Sequence, residues 1–130
     1  MKKIVLICAA VAAVVLLTAA AKKDKAMIKE KGVYIVDTTE LGKDVTGYVG
    51  ATPLKVYFRK NKVEKIEFLP NRETPKYWNA AKNHLQNKWD GMKVSDVKKT
   101  EVDGRTGATL SSNAVKQNIR LAVEYYQKHK

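Results

Sequence analysis

The stretch that decides the fold is Leu54-Lys55-Val56-Tyr57-Phe58-Arg59-Lys60-Asn61-Lys62-Val63-Glu64-Lys65-Ile66-Glu67-Phe68. In its first half, apolar residues at every second position alternate with Lys55 and Tyr57, the pattern of a half-buried strand. The polar run Arg59-Lys60-Asn61-Lys62 predicts a hairpin turn, and Val63 to Leu69 form the partner strand. We therefore expect an antiparallel sheet built around this hairpin.

The segments on either side of the hairpin predict an α+β fold. Two further strands are expected before it, at Val33 to Val36 and at Thr46 to Val49. After it, the sequence predicts a helix from Pro75 to Lys88, a short connecting run and a final helix from Asn113 onward. Strands that precede helices in this way indicate a small antiparallel sheet packed by two main helices.

Both helices carry start signals and one apolar face. Thr74 is a natural N-cap and Pro75 a natural first helical residue, because proline lacks only a donor that would be unpaired there. One apolar face follows, before Asp90-Gly91 ends the pattern: Trp78, Ala81, Leu85 and Trp89. The final helix has the apolar positions Val115, Ile119, Ala122 and Tyr126, preceded by the candidate caps Ser111, Ser112 and Asn113.

Directly before the final helix the chain reads Asp103-Gly104-Arg105-Thr106-Gly107-Ala108-Thr109-Leu110-Ser111-Ser112. Gly107 can adopt positive φ and Ala108 adds little bulk, so the Thr109 hydroxyl is accessible. A helix N-terminus offers unpaired N–H groups and partial positive charge to an anionic group on Thr109. An ordinary loop and cap is the alternative, but this run resembles the flavinylation motif of the FMN-binding domain family, Asp-x-x-Ser/Thr-Gly-Ala-Thr/Ser.

The resemblance implies a covalent cofactor. The hydroxyl of Thr109 would be esterified to the phosphate of FMN by a flavin transferase, with Asp103 as a recognition element for that enzyme. The neighbouring residues would form the rest of the cofactor-binding segment: Thr106, Gly107, Ala108, Leu110 and Ser111.

A second stretch, Asn71 to Trp78, looks like the family's Glu-Thr-Pro-Gly segment. By resemblance, Glu73 and Thr74 contact the isoalloxazine ring or the ribityl chain of FMN; a plain helix cap is the alternative. The chain departs from the family pattern at Lys76, where glycine is common, and at Asn71, where histidine is frequent. The resemblance covers roughly Tyr48 to Tyr126.

The N-terminus predicts export from the cytoplasm. Lys2 and Lys3 precede eighteen residues, Ile4 to Ala21, in which Thr18 is the only clearly polar one. Ala19-Ala20-Ala21 suits a signal peptidase, while the length also reaches that of a membrane span, and we favour a retained anchor. The expected organisation is a signal peptide or anchor at 1–21, a charged linker at 22–31 and the FMN-binding domain at 32–130.

The amino-acid composition limits which binding partners are expected. The net charge of +12 becomes +10 without residues 1–21, because only Lys2 and Lys3 are removed. The basic residues are scattered and no nucleic-acid-binding motif is present, so anionic lipid surfaces and acidic redox partners are expected rather than nucleic acid. The single cysteine, Cys8, lies in the apolar segment, and the two histidines, His84 and His129, have no triad or metal-ligand spacing. We assign no catalytic residue and no metal site.

Together these features predict an extracytoplasmic electron-transfer flavoprotein, membrane-anchored or periplasmic, similar to the flavin-bearing subunits of the sodium-translocating NADH:quinone reductase and Rnf complexes. It would relay electrons between membrane and extracytoplasmic redox partners, as a carrier rather than an independent enzyme. The alternatives are a membrane-associated binding or scaffold module of the same fold without flavin, and an FMN-dependent reductase with its own substrate.

Overall fold

The computed structural model describes residues 26–100, 102 and 108–130. In this part of the chain the strands are β1 (Met27–Glu30), β2 (Val33–Asp37), β3 (Leu54–Arg59) and β4 (Lys62–Phe68), and the helices are α1 (Pro75–Leu85), α2 (Val94–Val97) and α3 (Thr109–His129). The strands form one antiparallel sheet in the order β1-β2-β3-β4. The predicted α+β class with an antiparallel sheet is confirmed. The apolar segment 1–21 and the first linker residues, 22–25, lie outside the described residues.

The predicted hairpin forms β3, which lies inside the sheet, and β4, which lies at its edge. Lys60 and Asn61 have φ angles of 51° and 61°, the left-handed pair that a tight two-residue hairpin turn requires. Val63 and Ile66 are both buried although they lie three positions apart, which a regular strand with period two does not allow. The register of β3 against β4 breaks between Tyr57 and Phe58, where β4 has one extra residue. This bulge in β4 allows Val63 and Ile66 to face the same side of the sheet.

Strand β1 lies in the segment that the charge composition assigned to a linker. It pairs with β2 through a turn in which Lys31 and Gly32 have φ angles of 49° and 82°. Its side chains are largely exposed, Ile28 at 49% among them, because β1 is at the edge of the sheet. An edge strand exposed in this way has the composition of a linker, which is why the sequence pattern did not reveal it.

The predicted strand at Thr46 to Val49 is wrong. This segment belongs to the loop at 38–53 between β2 and β3, and pairs only through an isolated bridge from Thr46 to Ala51. Inside that bridge the Gly47 N–H donates to the Gly50 carbonyl oxygen at 2.8 Å, closing a tight turn. The apolar residues of the turn tip are therefore exposed to solvent instead of buried in a sheet.

The helices also differ from their predicted bounds. Helix α1 starts at Pro75 as expected but ends at Leu85 rather than Lys88, and the connecting run contains the short helix α2. Helix α3 starts at Thr109, four residues before the predicted Asn113. Ser111 and Ser112, two of the expected caps, therefore lie within its first turn and are buried.

The core lies between the sheet and the helices. Its centre is the stack of Phe58 on Tyr126, with ring centroids 4.3 Å apart and planes 9° from parallel. Fully or almost fully buried residues from β2, β3, β4, α1 and α3 surround this stack: Val36, Leu54, Val56, Val63, Leu85, Val115, Ile119 and Val123. Helix α3 therefore has a fixed position against the sheet.

A buried polar contact fixes the loop at 38–53 to α3. The Asn118 side-chain amide donates to the Thr52 carbonyl oxygen at 2.9 Å and to its hydroxyl at 3.1 Å. At Gly42 an added Cβ would lie 1.8 Å from Asn118 Oδ1, so only glycine allows this close approach. The loop is thus held against the middle of α3. Among the described residues, no helix is both long enough and apolar enough to cross a membrane.

We expect Phe58→Ala to destabilise the protein by about 3–5 kcal/mol, because it leaves a cavity beside Tyr126. Ile28→Ala, on the exposed edge strand, is the matched control and should change the free energy of unfolding by less than about 1 kcal/mol. Urea unfolding followed by circular dichroism measures both. Equal losses in the two variants would contradict the assigned core.

Candidate functional site

Thr109 is the first residue of α3 and its side chain is exposed. The first hydrogen bond of the helix runs from the Ser112 N–H to the Ala108 carbonyl oxygen at 3.0 Å. The N–H groups of Thr109, Leu110 and Ser111 therefore have no acceptor within the helix. The N-cap residue, Ala108, has no side-chain oxygen to satisfy them. The hydroxyl of Thr109 thus lies at the positive end of a 21-residue helix.

The buried carboxylate of Glu73 lies behind this helix end. Its Oε1 accepts the Tyr48 N–H at 2.7 Å and the Ser111 hydroxyl at 2.7 Å. Its Oε2 accepts the N–H groups of Val49 at 2.6 Å and Gly50 at 3.2 Å. Four donors fill the acceptor capacity of a carboxylate. One side chain, 5% exposed, therefore connects the start of α1, the loop tip at 47–50 and the start of α3.

The electrostatics of Glu73 favour its charged form. Burial raises the pKa of this carboxyl group, but the hydrogen bonds from the Ser111 hydroxyl and from the backbone N–H groups of Val49, Tyr48 and Gly50 lower it, and the net pKa is below its ordinary value. These hydrogen-bond donors stabilise the negative charge, which would otherwise be costly to bury. The carboxylate is therefore ionised at neutral pH.

Gly47 allows the carboxylate to approach the loop. A Cβ at this position would lie 1.9 Å from Glu73 Oε1 and 3.2 Å from the Ser111 Cα. No residue other than glycine fits there unless the Glu73 carboxylate or α3 moves. At Gly50, three residues further on, an added Cβ would meet no atom within 4 Å.

A cleft of about 370 Å³ opens beside Thr109. Its lining residues come from the loop tip, α1 and the start of α3: Tyr48, Tyr77, Ala108, Thr109, Leu110 and Ser111. The volume is within the range of about 300–1,000 Å³ that is typical of small-molecule sites. An apolar and aromatic surface therefore lies next to a hydroxyl at a helix N-terminus.

The cleft brings together several residues that the sequence singled out. Ala108, Thr109, Leu110 and Ser111 all line it, although Ser111 also donates to Glu73. Thr74 is the N-cap residue of α1, with extended backbone, but its side chain makes no capping hydrogen bond. The predicted contacts of Glu73 and Thr74 with the flavin remain predictions. Asp103, Thr106 and Gly107 lie outside the described residues.

Sequence reasoning missed Tyr48. A strand was predicted there, so its side chain had no assigned role, and the flanking Gly47 and Gly50 were the available signal for a turn. Tyr77, in the first turn of α1, also lines the cleft and is 40% exposed there. Among the described residues, no group of three or more His, Cys, Asp or Glu side chains could hold a metal ion.

The fold and the cleft define the class of this protein as a small α+β domain in which a helix N-terminus lies beside an aromatic cleft. Residues 47–124, more than half of the chain, match the FMN-binding domain family. The chain belongs to the FMN-binding domain family. No curated protein matches the chain.

The residues present fit FMN. The exposed Thr109 hydroxyl and the N–H groups of the first α3 turn suit its phosphate, which carries negative charge. The apolar walls of the cleft, which include Tyr77 and Leu110, suit its planar ring system. The matched segment begins at Gly47 and so includes the loop tip that Glu73 holds.

Gly47→Ala should destabilise the protein by about 1–3 kcal/mol, because the new methyl group overlaps the Glu73 carboxylate. Gly50→Ala is the matched control in the same turn. It should be neutral or stabilising by less than about 1 kcal/mol, since its methyl group points into open space. Denaturant unfolding measures both variants. An unchanged free energy of unfolding in Gly47→Ala would show that the approach of Glu73 to residue 47 does not require glycine.

Glu73→Gln should lower the free energy of unfolding by about 2 kcal/mol at neutral pH, because charge-assisted hydrogen bonds to four donors are lost. The pKa of Glu73 is lower in the folded state, so its stabilising effect is complete above the ordinary value of 4.5 and is lost as the pH falls through the folded value. The difference between wild type and variant should therefore shrink in acid.

Unfolding titrations between neutral and acidic pH measure this difference. Glu40→Gln, at an exposed position, is the control and should differ little from wild type at any pH. A difference for Glu73→Gln that stayed constant through the acidic range would contradict the assignment of a stabilising carboxylate.

Proposed function

We propose that this protein is an extracytoplasmic electron-transfer flavoprotein that carries FMN joined through its phosphate to the hydroxyl oxygen of Thr109. The observation that carries the proposal is the position of Thr109 within a member of the FMN-binding domain family. It is exposed, it begins α3, and it lies beside an aromatic cleft.

The local structure supports attachment by a flavin transferase. The transferase must reach the acceptor, and Thr109 is exposed on the surface. The transferase supplies the flavin as a phosphoanhydride: a bond forms between the Thr109 oxygen and the flavin's phosphorus, the anhydride P–O bond breaks, the second phosphate leaves with the rest of the donor, and the hydroxyl proton is released. The helix dipole and the N–H groups of the first turn then stabilise the remaining charge on the phosphate. Asp103 and Thr106, outside the described residues, complete the recognition motif in this proposal.

Bound FMN supplies one- or two-electron redox chemistry at its ring. The chain's own residues hold and orient it. Thr109 prevents its loss by diffusion, and Glu73 fixes the loop tip that forms one wall of the cleft.

The proposed location is outside the cytoplasm, with residues 1–21 as anchor or export signal. The motif supports this, since the flavin-bearing subunits that it resembles work at membranes. The net charge of +12 favours contact with anionic lipid and with acidic redox partners that donate and accept the electrons. Electron relay then depends on attachment at the membrane surface rather than on a substrate pocket.

Two alternatives make different predictions. A scaffold module of the same fold would carry no flavin even in a host with an active flavin transferase. An FMN-dependent reductase would turn over a small acceptor as an isolated protein. The exposure of Thr109 among the described residues favours the carrier, because an electron relay needs its cofactor accessible to large partners.

Co-expression of the full chain with an exported flavin transferase tests the attachment. We expect the intact mass to increase by one FMN unit with loss of water, and a fluorescent band to remain on a denaturing gel. Thr109→Ala should lose both signals, and Thr109→Ser should retain them because it keeps the hydroxyl. Thr100→Ala, another exposed threonine, should behave as wild type.

Peptide mapping then locates the modification. A labelled Thr109→Ala protein, or an unlabelled wild type beside a labelled reference substrate in the same cells, would contradict the proposal. Steady-state assays with the labelled protein and small electron acceptors separate the carrier from the reductase: the carrier should exchange electrons only stoichiometrically without its partners.

A further inference from the structure

Exposed aromatic and aliphatic side chains collect at one place on this protein. Among the described residues the exposed large hydrophobic side chains are Ile28, Tyr48, Val49, Tyr77 and Leu110. Three of these, Tyr48, Tyr77 and Leu110, line the cleft beside Thr109. Single exposed hydrophobic residues are ordinary, but a cluster around a cleft marks a binding surface.

The protein holds the backbone of Tyr48 in place although the residue is 65% exposed. Its backbone N–H donates to Glu73 Oε1 at 2.7 Å, and the next two N–H groups donate to Oε2. The loop tip therefore does not depend on burial of the Tyr48 side chain for its position. An exposed ring on a fixed backbone is prepared for a ligand, because little freedom remains to be lost on binding.

Tyr77 comes from a different element, the first turn of α1. Its ring centroid lies 6.3 Å from that of Tyr48, and the planes are inclined by 58°. A planar ligand between two rings needs parallel planes about 7 Å apart, twice the contact distance of carbon atoms. The pair is therefore too close and too inclined to enclose a ring, and forms an open, angled platform.

We infer that Tyr48 and Tyr77 form the platform on which the isoalloxazine ring rests when FMN is joined to Thr109. The inference rests on the proposed function. The ring stacks on one tyrosine and meets the edge of the other, and Leu110, the residue after Thr109, adds an apolar contact. Among the described residues, the platform lies on one face of the flavin, and the opposite face is the one that a redox partner would approach.

This arrangement can be measured apart from activity. A phenol in contact with a photoexcited flavin quenches its fluorescence by transferring an electron to it, and phenylalanine does not. We therefore expect weak flavin fluorescence in the folded, loaded protein and a rise on unfolding in guanidinium. Tyr48→Phe and Tyr77→Phe, singly and together, should reduce the quenching while keeping the flavin's visible circular dichroism.

Leucine variants test the stacking itself. Tyr48→Leu and Tyr77→Leu should lower the ratio of stacked to unstacked flavin by about two- to tenfold, seen as loss of visible circular dichroism and recovery of fluorescence. Tyr57→Phe, on strand β3 and absent from the lining of the cleft, is the matched control and should leave both signals unchanged. Intact mass establishes equal flavin loading in every variant.

The outcomes separate the two proposals. A wild type without added mass would overturn the proposed function, and this inference with it, before any fluorescence is recorded. Two outcomes would overturn the platform alone. One is a fully loaded wild type whose flavin fluorescence does not change on unfolding. The other is quenching that persists in the doubly substituted Tyr48→Phe/Tyr77→Phe protein. The phenylalanine pair preserves ring shape, so this comparison holds even if a leucine variant fails to fold.

Discussion

The site depends on one buried carboxylate. Glu73 accepts two hydrogen bonds on each of its oxygens, three from successive backbone N–H groups of the loop tip and one from Ser111 at the start of α3. The charge is stable in the interior because all its acceptor sites are filled. Three segments far apart in sequence thereby hold a common position, and the cleft beside Thr109 is the space between them.

The residues of the site lie on two faces, one buried and one exposed. Glu73 lies on the inner face, where it fixes backbone, whereas Thr109, Tyr48 and Tyr77 are exposed on the outer face, where the proposed cofactor would be attached. A residue expected from the family pattern to touch the flavin is, in the described structure, engaged entirely with the protein.

Helix α3 joins the core to the site. Its middle carries Asn118, which holds the loop at 38–53 through Thr52, and its buried face carries Tyr126, which stacks on Phe58. Because the same rigid helix begins at Thr109, the proposed attachment point is fixed relative to the sheet. The loop is held twice, by Asn118 and by Glu73, and its glycines at 42 and 47 allow both approaches.

The sequence by itself determined what depends on local pattern: the β3–β4 hairpin, the start of α1 at Pro75, the apolar faces of both main helices and the family motif that ends in Thr109. These features follow from residue spacing and turn chemistry within a few positions. Only the tertiary structure decided that Glu73 accepts from 48–50 and Ser111, that Tyr48 occupies a loop tip rather than a strand, and that α3 begins at Thr109. Those contacts join residues as many as 38 positions apart. A hydrogen bond between residues so distant in the chain leaves no periodic pattern in the sequence.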